Sequence, residues 1–563
     1  MEDIRREALK WTLVNALEHR GKANLKAVVR KLVAELPGWR CKIGELSEIV
    51  RQEVAEVNAW SREEQLYQLR KIGPVERHKP RERRGLSELP DLDKYPMVVT
   101  RFAPNPNGPL HLGHVRTALL SHEYARRYKG KFILRFEDTN PENTLLEMYE
   151  LIKRDLRWIG LSWDEEYAQS DRIELYYGYA ERLIREGKAY ICTCEVGRFR
   201  ELRDRGEACP CRDLPGEEHL GRWERMLSGD FVKGEAVVRI KTDMKHPNPA
   251  VRDWSALRSV AKPHPRVGER YSVWPLYNFS AAIDDHEMGV THVIRGKEHE
   301  VNEQRQRTLY KHLGWSYPTA VQHGRLAMLG VALSKTQTVR AVRGGELSGY
   351  DDVRLGTIAA LRRRGFVSEA IRQLMLDIGL TLVDSSLSWE TLCAYNRKFV
   401  DQIASRYFFV ANPVELFVHN APELKEARLR LHPNRPESSE RILPLDRRGS
   451  TLVFHLSGED AAALGEGQVF RLKDLMNVKL TKKGRSLEAD FHSLEVADGP
   501  KLHWVSGGAV ELEVIKPDNT LEHGLAEPAV AGLQIGTIVQ FERYGFSRID
   551  AVRPKLVAVY GHR

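Results

Sequence analysis

The chain contains few cysteines and no long apolar run. Six cysteines among 563 residues are too few for a disulfide scaffold, and the isolated Cys41 and Cys393 are interpreted as packing residues. No apolar stretch approaches the ~20 residues of a membrane-spanning helix. Residues 1–6 open without the apolar core of a secretory signal. These absences exclude a membrane span and favour a reducing, cytoplasmic location.

Composition and charge indicate a basic globular protein. Hydrophobic residues make up 42% of the chain and charged residues 29%, and its length provides material for about three to five domains with buried cores. The formal net charge of +9 favours a polyanionic partner such as a nucleic acid. Because many basic proteins bind no polyanion, charge alone does not decide the function.

Two short segments carry the strongest chemical signal. Residues 104–114 read PNPNGPLHLGH and place two imidazoles after a Pro/Gly-rich turn and before a helical pattern. A helix N-terminus presents unpaired N–H groups and about half a positive charge, which suits a phosphate. Residues 333–336 read LSKT, and Lys335 supplies a mobile cation for the same phosphates. Either segment alone arises by chance, but their order and surroundings favour a nucleotide site.

Residues 1–70 show helical periodicity. Apolar residues recur at helical spacing from Ile4 to Leu17, again over Leu25–Leu36, and a third time over Ile43–Trp60. The sequence therefore predicts three helices in this region. A stretch rich in Lys, Arg and His follows around two prolines, within residues 71–96. Its composition predicts a solvated linker, and the alternative is an arm that contacts phosphates.

From residue 97 the pattern changes to alternating strands and helices. Residues 97–102 predict a strand that runs into the His111 turn and its helix, and residues 131–136 predict a second strand. This order is a βαβ unit, so we expect a parallel sheet with its site at the carboxyl ends of the strands. Residues 192–272 interrupt the alternation, which resumes near Tyr277.

The last third of the chain changes character twice. Residues 357–379 and 389–405 predict helices. Beyond Arg406, short alternating runs are separated by turns rich in Gly, Pro and Asn, which is typical of antiparallel β-barrels.

Several longer phrases resemble one family. Residues 101–105 read RFAPN, 135–141 read RFEDTNP, 293–299 read VIRGKEH, 388–390 read SWE and 541–546 read FERYGF. Together they resemble the glutamyl-tRNA synthetases of the archaeal type, which are class I aminoacyl-tRNA synthetases. The resemblance implies an α/β Rossmann-like catalytic domain with an acceptor-end insert, a helical N-terminal extension, a helical connector and C-terminal antiparallel β-barrels.

This resemblance and the sequence pattern together predict seven segments. They are a helical N-terminal domain (1–70), a basic linker (71–96), the first half of the catalytic domain (97–191), an acceptor-binding insert (192–272), the second half of the catalytic domain (273–345), a helical connector (346–405) and an anticodon-binding β-barrel region (406–563).

The implied reaction joins L-glutamate to ATP as an acyl-adenylate and then passes the acyl group to the 3′ adenosine of tRNA. Residues 111–114 and 333–336 look like the HIGH and KMSKS signatures of class I enzymes. The family pattern begins the second signature with lysine, whereas this chain has Ala332, so Lys335 is its single motif lysine. The resemblance assigns catalysis to His111, His114 and Lys335, with Mg²⁺ assisting, and ATP binding to His111, Gly113, His114, Ser334 and Lys335.

A glutamate pocket must satisfy one ammonium and two carboxylates. Arg101 and Arg295 each offer a bidentate fork for a carboxylate, and Glu137 offers an anion for the ammonium. An average arginine forms a surface ion pair instead, but these two stand at predicted strand ends on the motif side. The resemblance extends the glutamate site to Arg101, Ala103, Asn105, Glu137, Tyr277, Asn278 and Arg295.

Arg295 indicates which of two similar amino acids, glutamate or glutamine, is the substrate. The glutaminyl-tRNA synthetases share this fold, but the corresponding position in that family generally lacks an arginine. A guanidinium placed against a neutral amide would leave a buried charge unpaired, so Arg295 favours glutamate. Glu137 agrees, because the glutaminyl family tends to carry Asp-Asp where this chain has Glu137-Asp138. The glutaminyl enzyme is the alternative interpretation, and a non-catalytic tRNA-binding protein is a third.

Four cysteines form a cluster of two Cys-x-Cys pairs. They are Cys192, Cys194, Cys209 and Cys211. Four thiolates at this spacing suit a structural, tetrahedral Zn²⁺, and related synthetases carry zinc in this insert. The one-residue gaps are tighter than the commoner two-residue spacing. Two disulfides and a pair remnant without metal are the alternatives.

The resemblance assigns anticodon recognition to the C-terminal barrels. A basic segment with Lys479, Lys482, Lys483 and Arg485 and the aromatic phrase at Arg543, Tyr544 and Phe546 are candidates for RNA contacts. A β-core explanation is equally good for the aromatic phrase. The expected partners are tRNA(Glu), with tRNA(Gln) as a possible second tRNA, L-glutamate and ATP, and the expected enzyme is a cytoplasmic monomer.

Overall fold

The computed structural model describes residues 2–18, 21–35, 43–72, 86–329, 335–435, 440–497 and 499–563. The chain divides into two compact units, Met1–Arg84 and Gly85–Arg563. Cys41, Ala332, Ser334 and residues 73–85, half of the predicted basic linker, lie outside the described residues. None of the described helices is both long and apolar enough to cross a membrane.

The N-terminal unit contains a fourth helix besides the three predicted. Its described helices are α1 (Glu2–Glu18), α2 (Leu25–Glu35), α3 (Ile43–Ala59) and α4 (Arg62–Ile72). Helix α4 has a weak apolar pattern because Gln65 occupies an inward position, where its side-chain amide donates to the carbonyls of Gly21 (3.0 Å) and Val57 (2.8 Å). Sequence periodicity does not detect a helix that is anchored by a buried amide.

The segment predicted as the catalytic domain contains an α/β sheet built in two pieces. The first piece contains β1 (Val99–Phe102), α5 (Leu112–Arg127), β2 (Lys131–Phe136), α6 (Glu147–Trp158), β3 (Glu165–Ala168) and α7 (Ile173–Arg185). Strands β1, β2 and β3 pair in parallel. The parallel sheet expected from the βαβ pattern is confirmed. Strands β1 and β2 are almost entirely buried, whereas the edge strand β3 is partly exposed.

An insert separates the two pieces. It comprises β4 (Ala189–Cys192), α8 (Val196–Arg205), α9 (Gly216–Leu227), β5 (Val237–Ile240), β6 (Ser255–Ser259) and β7 (Val273–Pro275). The four strands pair in sequence order, and every pair is antiparallel. An antiparallel sheet of this kind is a local meander, so it can be inserted without changing the order of the parallel sheet.

The second piece returns to the parallel sheet. It contains α10 (Tyr277–Glu287), β8 (His292–Gly296), α11 (Glu300–Leu313), β9 (Thr319–His323), β10 (Leu326–Met328) and α12 (Lys335–Arg343). Strands β8 and β9 are parallel, and the amide of Thr291 donates to the carbonyl of Val99 at 2.9 Å. This contact sets β8 beside β1, so the carboxyl ends of β1, β2 and β8 lie at one edge.

The connector has two helices where one was predicted over residues 357–379. Its elements are α13 (Ile358–Arg363), α14 (Ser368–Ile378), β11 (Ser385–Leu387) and α15 (Trp389–Ile403). Gly365, with φ of 79°, lies between α13 and α14 in a backbone conformation that favours glycine. The single-helix prediction was wrong because it passed over a stop signal in the sequence, three arginines (362–364) followed directly by this glycine.

Two seven-stranded sheets form the C-terminal region, together with one separate hairpin. The elements are β12 (Ser405–Tyr407), β13 (Phe409–Ala411), β14 (Val414–His419), β15 (Glu426–Arg430), β16 (Glu440–Pro444), β17 (Asp446–Arg448), β18 (Thr451–Leu456), α16 (Gly458–Ala463), β19 (Val469–Leu472), β20 (Met476–Lys483), β21 (Leu487–Ser493), β22 (Lys501–Leu502), β23 (Val510–Ile515), β24 (Leu521–Ala526), β25 (Ile538–Phe541), β26 (Gly545–Ala551) and β27 (Val557–His562).

The predicted C-terminal β-barrels are confirmed as these barrel-like sheets, each around its own apolar core. Their pairing is mixed. Most neighbouring strands are antiparallel, but β12 with β25, β14 with β21, β19 with β22 and β23 with β27 are parallel. Alternating polarity predicts strands, yet strand direction is set by connections that close each sheet, so sequence patterns alone do not reveal it.

Candidate active site

A cavity of about 900 Å³ opens at the carboxyl ends of β1, β2 and β8. This is the edge at which parallel α/β sheets bind ligands. The structure brings ten of the residues singled out from the sequence to its wall, although they span more than 230 positions of the chain. They are Arg101, Ala103, Asn105, His111, Gly113, His114, Glu137, Tyr277, Arg295 and Lys335.

One predicted glutamate contact does not line this cavity. Asn278 is buried in the first turn of α10, next to Tyr277, and its side-chain oxygen has no hydrogen-bond partner among the described residues. On a helix, successive side chains point about 100° apart, so only one of these two neighbours can face the cavity. Tyr277 is the one that does.

His111 and His114 form a folded pair at the start of α5. His111 precedes the helix, and its Nδ1 accepts the Gly113 amide at 3.1 Å, while His114 Nδ1 accepts the His111 amide at 3.3 Å. Both rings therefore carry their proton on Nε2 when neutral. Burial, with Lys335 nearby, lowers the pKa of His111 to about 4 and that of His114 well below its usual value. At neutral pH the pair presents two uncharged N–H donors.

Gly113 provides the space in which the His111 ring folds back. A Cβ at this position would lie 3.0 Å from His111 Cε1. The family resemblance assigns this glycine to ATP binding. In the structure its immediate neighbour is the imidazole, and the Leu326 carbonyl lies next at 3.7 Å.

Lys335 begins α12 and reaches the turn that precedes the histidines. Its Nζ donates to the Asn105 carbonyl at 3.1 Å, and its stem packs so closely on Gly108 that a Cβ there would lie 2.8 Å from Lys335 Cβ. Burial lowers the pKa of this ammonium to about 8. Among the described residues no carboxylate forms an ion pair with Lys335. Its neutral carbonyl partner can be exchanged for an anion, so the ammonium is available to bind a phosphate.

Arg101 is oriented by a buried acid on α10. Asp285 accepts Arg101 Nε at 3.0 Å and Arg135 Nη1 at 2.7 Å. Although burial opposes its charge, the two guanidinium groups hold the pKa of Asp285 below its usual value. Sequence reasoning missed Arg135 and Asp285. The available signal was a charged residue inside an otherwise apolar strand and an acidic pair inside an apolar helix.

Glu137 lies directly after β2 and faces the same cavity. Its carboxylate accepts Arg135 Nη2 at 3.1 Å. Burial raises the pKa of Glu137 to about 7, and the lowering effect of Arg135 and Arg101 only partly offsets it. A further cation beside this carboxylate would stabilise its charged form. The site therefore favours a positively charged group next to Glu137.

Arg295 is 4% exposed at the end of β8. Its Nη1 donates to Gln306 at 2.9 Å, and its Nη2 donates to the Tyr317 hydroxyl at 3.0 Å. Glu303 lies 3.4 Å away, but it also pairs with Arg307. The buried Nε of Arg295 has no partner among the described residues. An incompletely neutralised guanidinium with an open donor suits a carboxylate ligand.

The cavity wall includes residues that the sequence did not single out. They are Phe102, Pro104, Asn107, Thr117, Ile294, Gly296, Glu298, His299, His323, Arg325 and Leu326. His323 ends β9, and its Nε2 lies 3.0 Å from the Thr117 hydroxyl. Thr117 stands three residues after His114, so it occupies the same face of α5. Helical spacing from the histidine motif was the signal that could have found it.

The four clustered cysteines meet in the insert. Their sulfurs all lie within 4.8 Å of one another, and the Cys192–Cys209 and Cys194–Cys211 sulfur distances are 3.8 and 3.7 Å. These distances exclude disulfide bonds in this arrangement. A tetrahedron with metal–sulfur bonds of about 2.3 Å has edges of about 3.8 Å, so the donor set fits Zn²⁺.

The two C-terminal segments with basic or aromatic residues have different surroundings. Lys482 and Lys483 end β20 in an exposed hairpin with β21, where Lys482 pairs with Glu488 at 3.0 Å. Phe546 is 3% exposed in an apolar cluster, which supports the core explanation for that side chain. Arg543 forms a bidentate pair with Asp460, with distances of 2.7 and 2.8 Å.

Known families match most of the chain. The model for "tRNA synthetases class I (E and Q), catalytic domain" matches residues 97–402 and thus more than half of the chain. Two models for the "anti-codon binding domain" of the same class match residues 404–494 and 501–550. These ranges cover the parallel sheet, the insert, the connector and both C-terminal sheets except for the last strand, β27.

Curated relatives match the chain from end to end. The glutamate–tRNA ligases of Pyrococcus furiosus and Thermococcus kodakarensis are each 50% identical, with 100% of both chains covered. That of Methanopyrus kandleri is 46% identical over 100% of this chain and 99% of its own. A solved glutamate–tRNA synthetase from Elizabethkingia anophelis aligns with 55% of this chain and 71% of its own, at 25% identity and a TM-score of 0.41.

Proposed function

Because this chain belongs to the class I tRNA synthetases for glutamate and glutamine and is a glutamate–tRNA ligase, we propose that the cavity at the ends of β1, β2 and β8 is its active site. The reaction uses L-glutamate, tRNA and ATP with Mg²⁺. The observation that carries the assignment is the convergence of the histidine pair, Lys335 and two buried arginines on that single cavity.

The first step joins glutamate to the α-phosphate of ATP. An oxygen of the glutamate α-carboxylate forms a bond to the α-phosphorus, and the bond to pyrophosphate breaks. The second step transfers the acyl group to a hydroxyl of the 3′ adenosine of tRNA, and AMP leaves. Negative charge builds up on phosphate oxygens in the first step, so groups that stabilise this charge contribute most to the rate.

We assign phosphate binding to His111, His114 and Lys335. The N-terminus of α5 and the two neutral Nε2–H donors suit phosphate oxygens without adding a fixed charge. Lys335 adds a full charge, and it can exchange the Asn105 carbonyl for an anion. The assignment of Ser334 to ATP binding stays a prediction from the sequence.

We assign the substrate carboxylates to Arg101 and Arg295 and the α-ammonium to Glu137. Asp285 orients Arg101 from behind, and Tyr277 closes the pocket beside them. Binding of an ammonium would restore the charge of Glu137, whose pKa of about 7 leaves it partly protonated in the free enzyme. This arrangement matches one ammonium and two carboxylates, which is the charge pattern of glutamate.

A charging assay tests the activity and its amino-acid choice. We expect this enzyme to attach glutamate to tRNA(Glu) and to discriminate strongly against glutamine, because glutamine leaves the Arg295 cation without its anion. The assay should pair each amino acid with tRNA(Glu) and tRNA(Gln), since charging of tRNA(Gln) with glutamate is a further proposal. The control is tRNA that lacks its 3′ adenosine. Glutamine charging that exceeds glutamate charging would contradict the proposed pocket.

The four-cysteine cluster is proposed to hold a structural Zn²⁺. Cys192, Cys194, Cys209 and Cys211 would hold it, and bound zinc would cross-link β4 to the turn that follows α8. Three of the four cysteines are buried, and two of their sulfur–sulfur distances, 3.8 and 3.7 Å, match a tetrahedral edge, which supports this proposal. The cluster lies in the insert, apart from the residues of the cavity, so the role proposed for it is structural.

Metal analysis of the purified protein is expected to find about one zinc per chain. Replacing Cys209 by serine should remove the metal and lower the melting temperature, because structural zinc contributes to folding. Cys393→Ser is the matched control, since Cys393 lies outside the cluster. A metal-free wild-type protein from zinc-supplemented cells, with the same melting temperature as the variant, would rule the site out.

The remaining partner assignments follow from the substrates and the site. The insert and the C-terminal sheets are proposed to contact the acceptor end and the anticodon of tRNA. That the enzyme is a monomer stays a prediction from the family resemblance. Its substrates support a cytoplasmic location. The domain boundaries drawn from the sequence stay a proposal.

A further inference from the structure

The segment that follows Glu137 is held by a histidine from the insert. His264 is 2% exposed, and its Nε2 lies 2.9 Å from the carbonyl oxygen of Asp138. Its Nδ1 accepts the backbone amide of Arg266 at 3.2 Å. A carbonyl accepts and an amide donates, so the ring is the neutral tautomer with its proton on Nε2. Both nitrogens are therefore committed to defined partners.

The same imidazole contacts a second segment of the glutamate site. Its ring stacks on Trp274, with a centroid distance of 5.0 Å and an interplanar angle of 26°. Trp274 belongs to β7, which leads within three residues to Tyr277. His264 thus lies between the segment that carries Glu137 and the segment that carries Tyr277, although it belongs to neither.

Other contacts hold the Asp138 side chain, which leaves its carbonyl to His264. The carboxylate accepts the Ser170 amide at 2.8 Å and the Ser170 hydroxyl at 2.6 Å. Thr144 approaches the carbonyl only at 3.4 Å. Without the imidazole donor, this buried carbonyl would keep a poor partner, and a nearby peptide would move to restore a hydrogen bond.

We propose that His264 is a positioning residue for glutamate binding, which fixes the distance between the Glu137 and Tyr277 segments by bonding to one and stacking on the other. The inference rests on the proposed roles of these two residues. His264 does not line the cavity, so it acts on the substrate only through them. Its effect is confined to the amino-acid side of the site, because the histidine pair and Lys335 that are assigned to ATP lie on other elements.

Steady-state pyrophosphate exchange, measured in the presence of tRNA, tests this role. We expect His264→Ala to raise the KM for glutamate about tenfold while the KM for ATP stays within about twofold. His264→Gln keeps an N–H donor for the Asp138 carbonyl and should recover much of the glutamate KM. His264→Phe keeps a ring on Trp274 but not the donor, and should resemble the alanine variant.

The control is His312→Ala. His312 also contacts a backbone carbonyl through Nε2, that of Lys241 at 2.7 Å, but it lies on α11 away from both segments. It should lower stability without a selective effect on the KM for glutamate. Equal changes in both KM values in His264→Ala, or recovery by phenylalanine rather than glutamine, would overturn the inference.

Glu137→Gln is measured alongside to separate this inference from the proposed pocket. If that variant leaves the KM for glutamate unchanged, the assignment of Glu137 fails and His264 has nothing to position. If it raises the KM for glutamate while His264→Ala does not, the pocket stands and only the positioning role is refuted.

Discussion

Replacing Lys335 by alanine is expected to reduce the rate of glutamyl-adenylate formation about 100-fold or more, which corresponds to about 3 kcal/mol of lost transition-state stabilisation. Lys335 is the single lysine of its motif, since Ala332 occupies the position where related enzymes begin theirs. No second motif lysine can take over the charge on the departing pyrophosphate. Single-turnover measurement of adenylate formation, with ATP varied, checks the size of the effect.

Arg340→Ala is the matched control for this experiment, because it removes an exposed cation from the same helix, α12. That variant should retain nearly the full rate. A rate for Lys335→Ala within about threefold of the wild type would remove Lys335 from the mechanism and with it the assignment of the phosphate subsite.

The same side chain has a recognisable pH signature. Burial lowers the pKa of Lys335 to about 8, so the free enzyme carries this positive charge below pH 8 and loses it as the pH rises further. The value of kcat/KM for ATP should therefore fall above about pH 8, since this parameter reports the free enzyme. Lys335→Arg keeps its charge, and its profile should lack the decline.

Replacing Arg295 by glutamine is expected to lower kcat/KM for glutamate about 1,000-fold, or about 4 kcal/mol. The guanidinium is buried, and its removal leaves a substrate carboxylate in a low-dielectric site without a counter-charge. Activity with glutamine should change far less, because its neutral amide gains nothing from the cation. Pyrophosphate exchange with each amino acid measures the change in the ratio.

Arg307→Gln provides the control for Arg295. Arg307 pairs with the same acid, Glu303, but from the exposed surface of α11. Its loss should leave the preference for glutamate unchanged, since exposed ion pairs contribute little. Equal losses in the two variants would indicate that Glu303, rather than the substrate, is the partner that matters to Arg295.

Much of the candidate site could be predicted because its residues stand next to strong local signals. His111 and His114 occupy the turn between a strand and a helix, and Arg101 and Arg295 stand at strand ends. Parallel strands bring their carboxyl ends to one edge, so these side chains meet without knowledge of the full fold. Asn278 shows the limit of this reasoning. The sequence around Asn278 indicated the substrate-binding segment. It did not show whether the Asn278 side chain points from α10 into the cavity or away from it.

Residues that act through other residues escaped prediction. Arg135 and Asp285 come from distant parts of the chain. Arg135 begins the phrase RFEDTNP, but nothing in that phrase indicates that its side chain meets Asp285. They meet only after β2 and α10 pack together, where a buried ion pair is stable because each charge finds an opposite partner. Gly113 belongs to the same group. Its position within the motif could be read from the sequence. That the His111 ring folds into the space beside it could not.

The amino-acid sequence by itself determined the class of chemistry, since phosphate-binding and carboxylate-binding residues stand in short segments whose local geometry is set by neighbouring residues. It also determined that the chain alternates strands and helices and ends in short strands. Only the tertiary structure decided how the segments face one another. It placed His264 of the insert between the Glu137 and Tyr277 segments, left the histidine pair neutral through burial, and brought four cysteine sulfurs within 4.8 Å of one another. These properties depend on distances between residues far apart in the chain and on the exclusion of water, which no local pattern encodes.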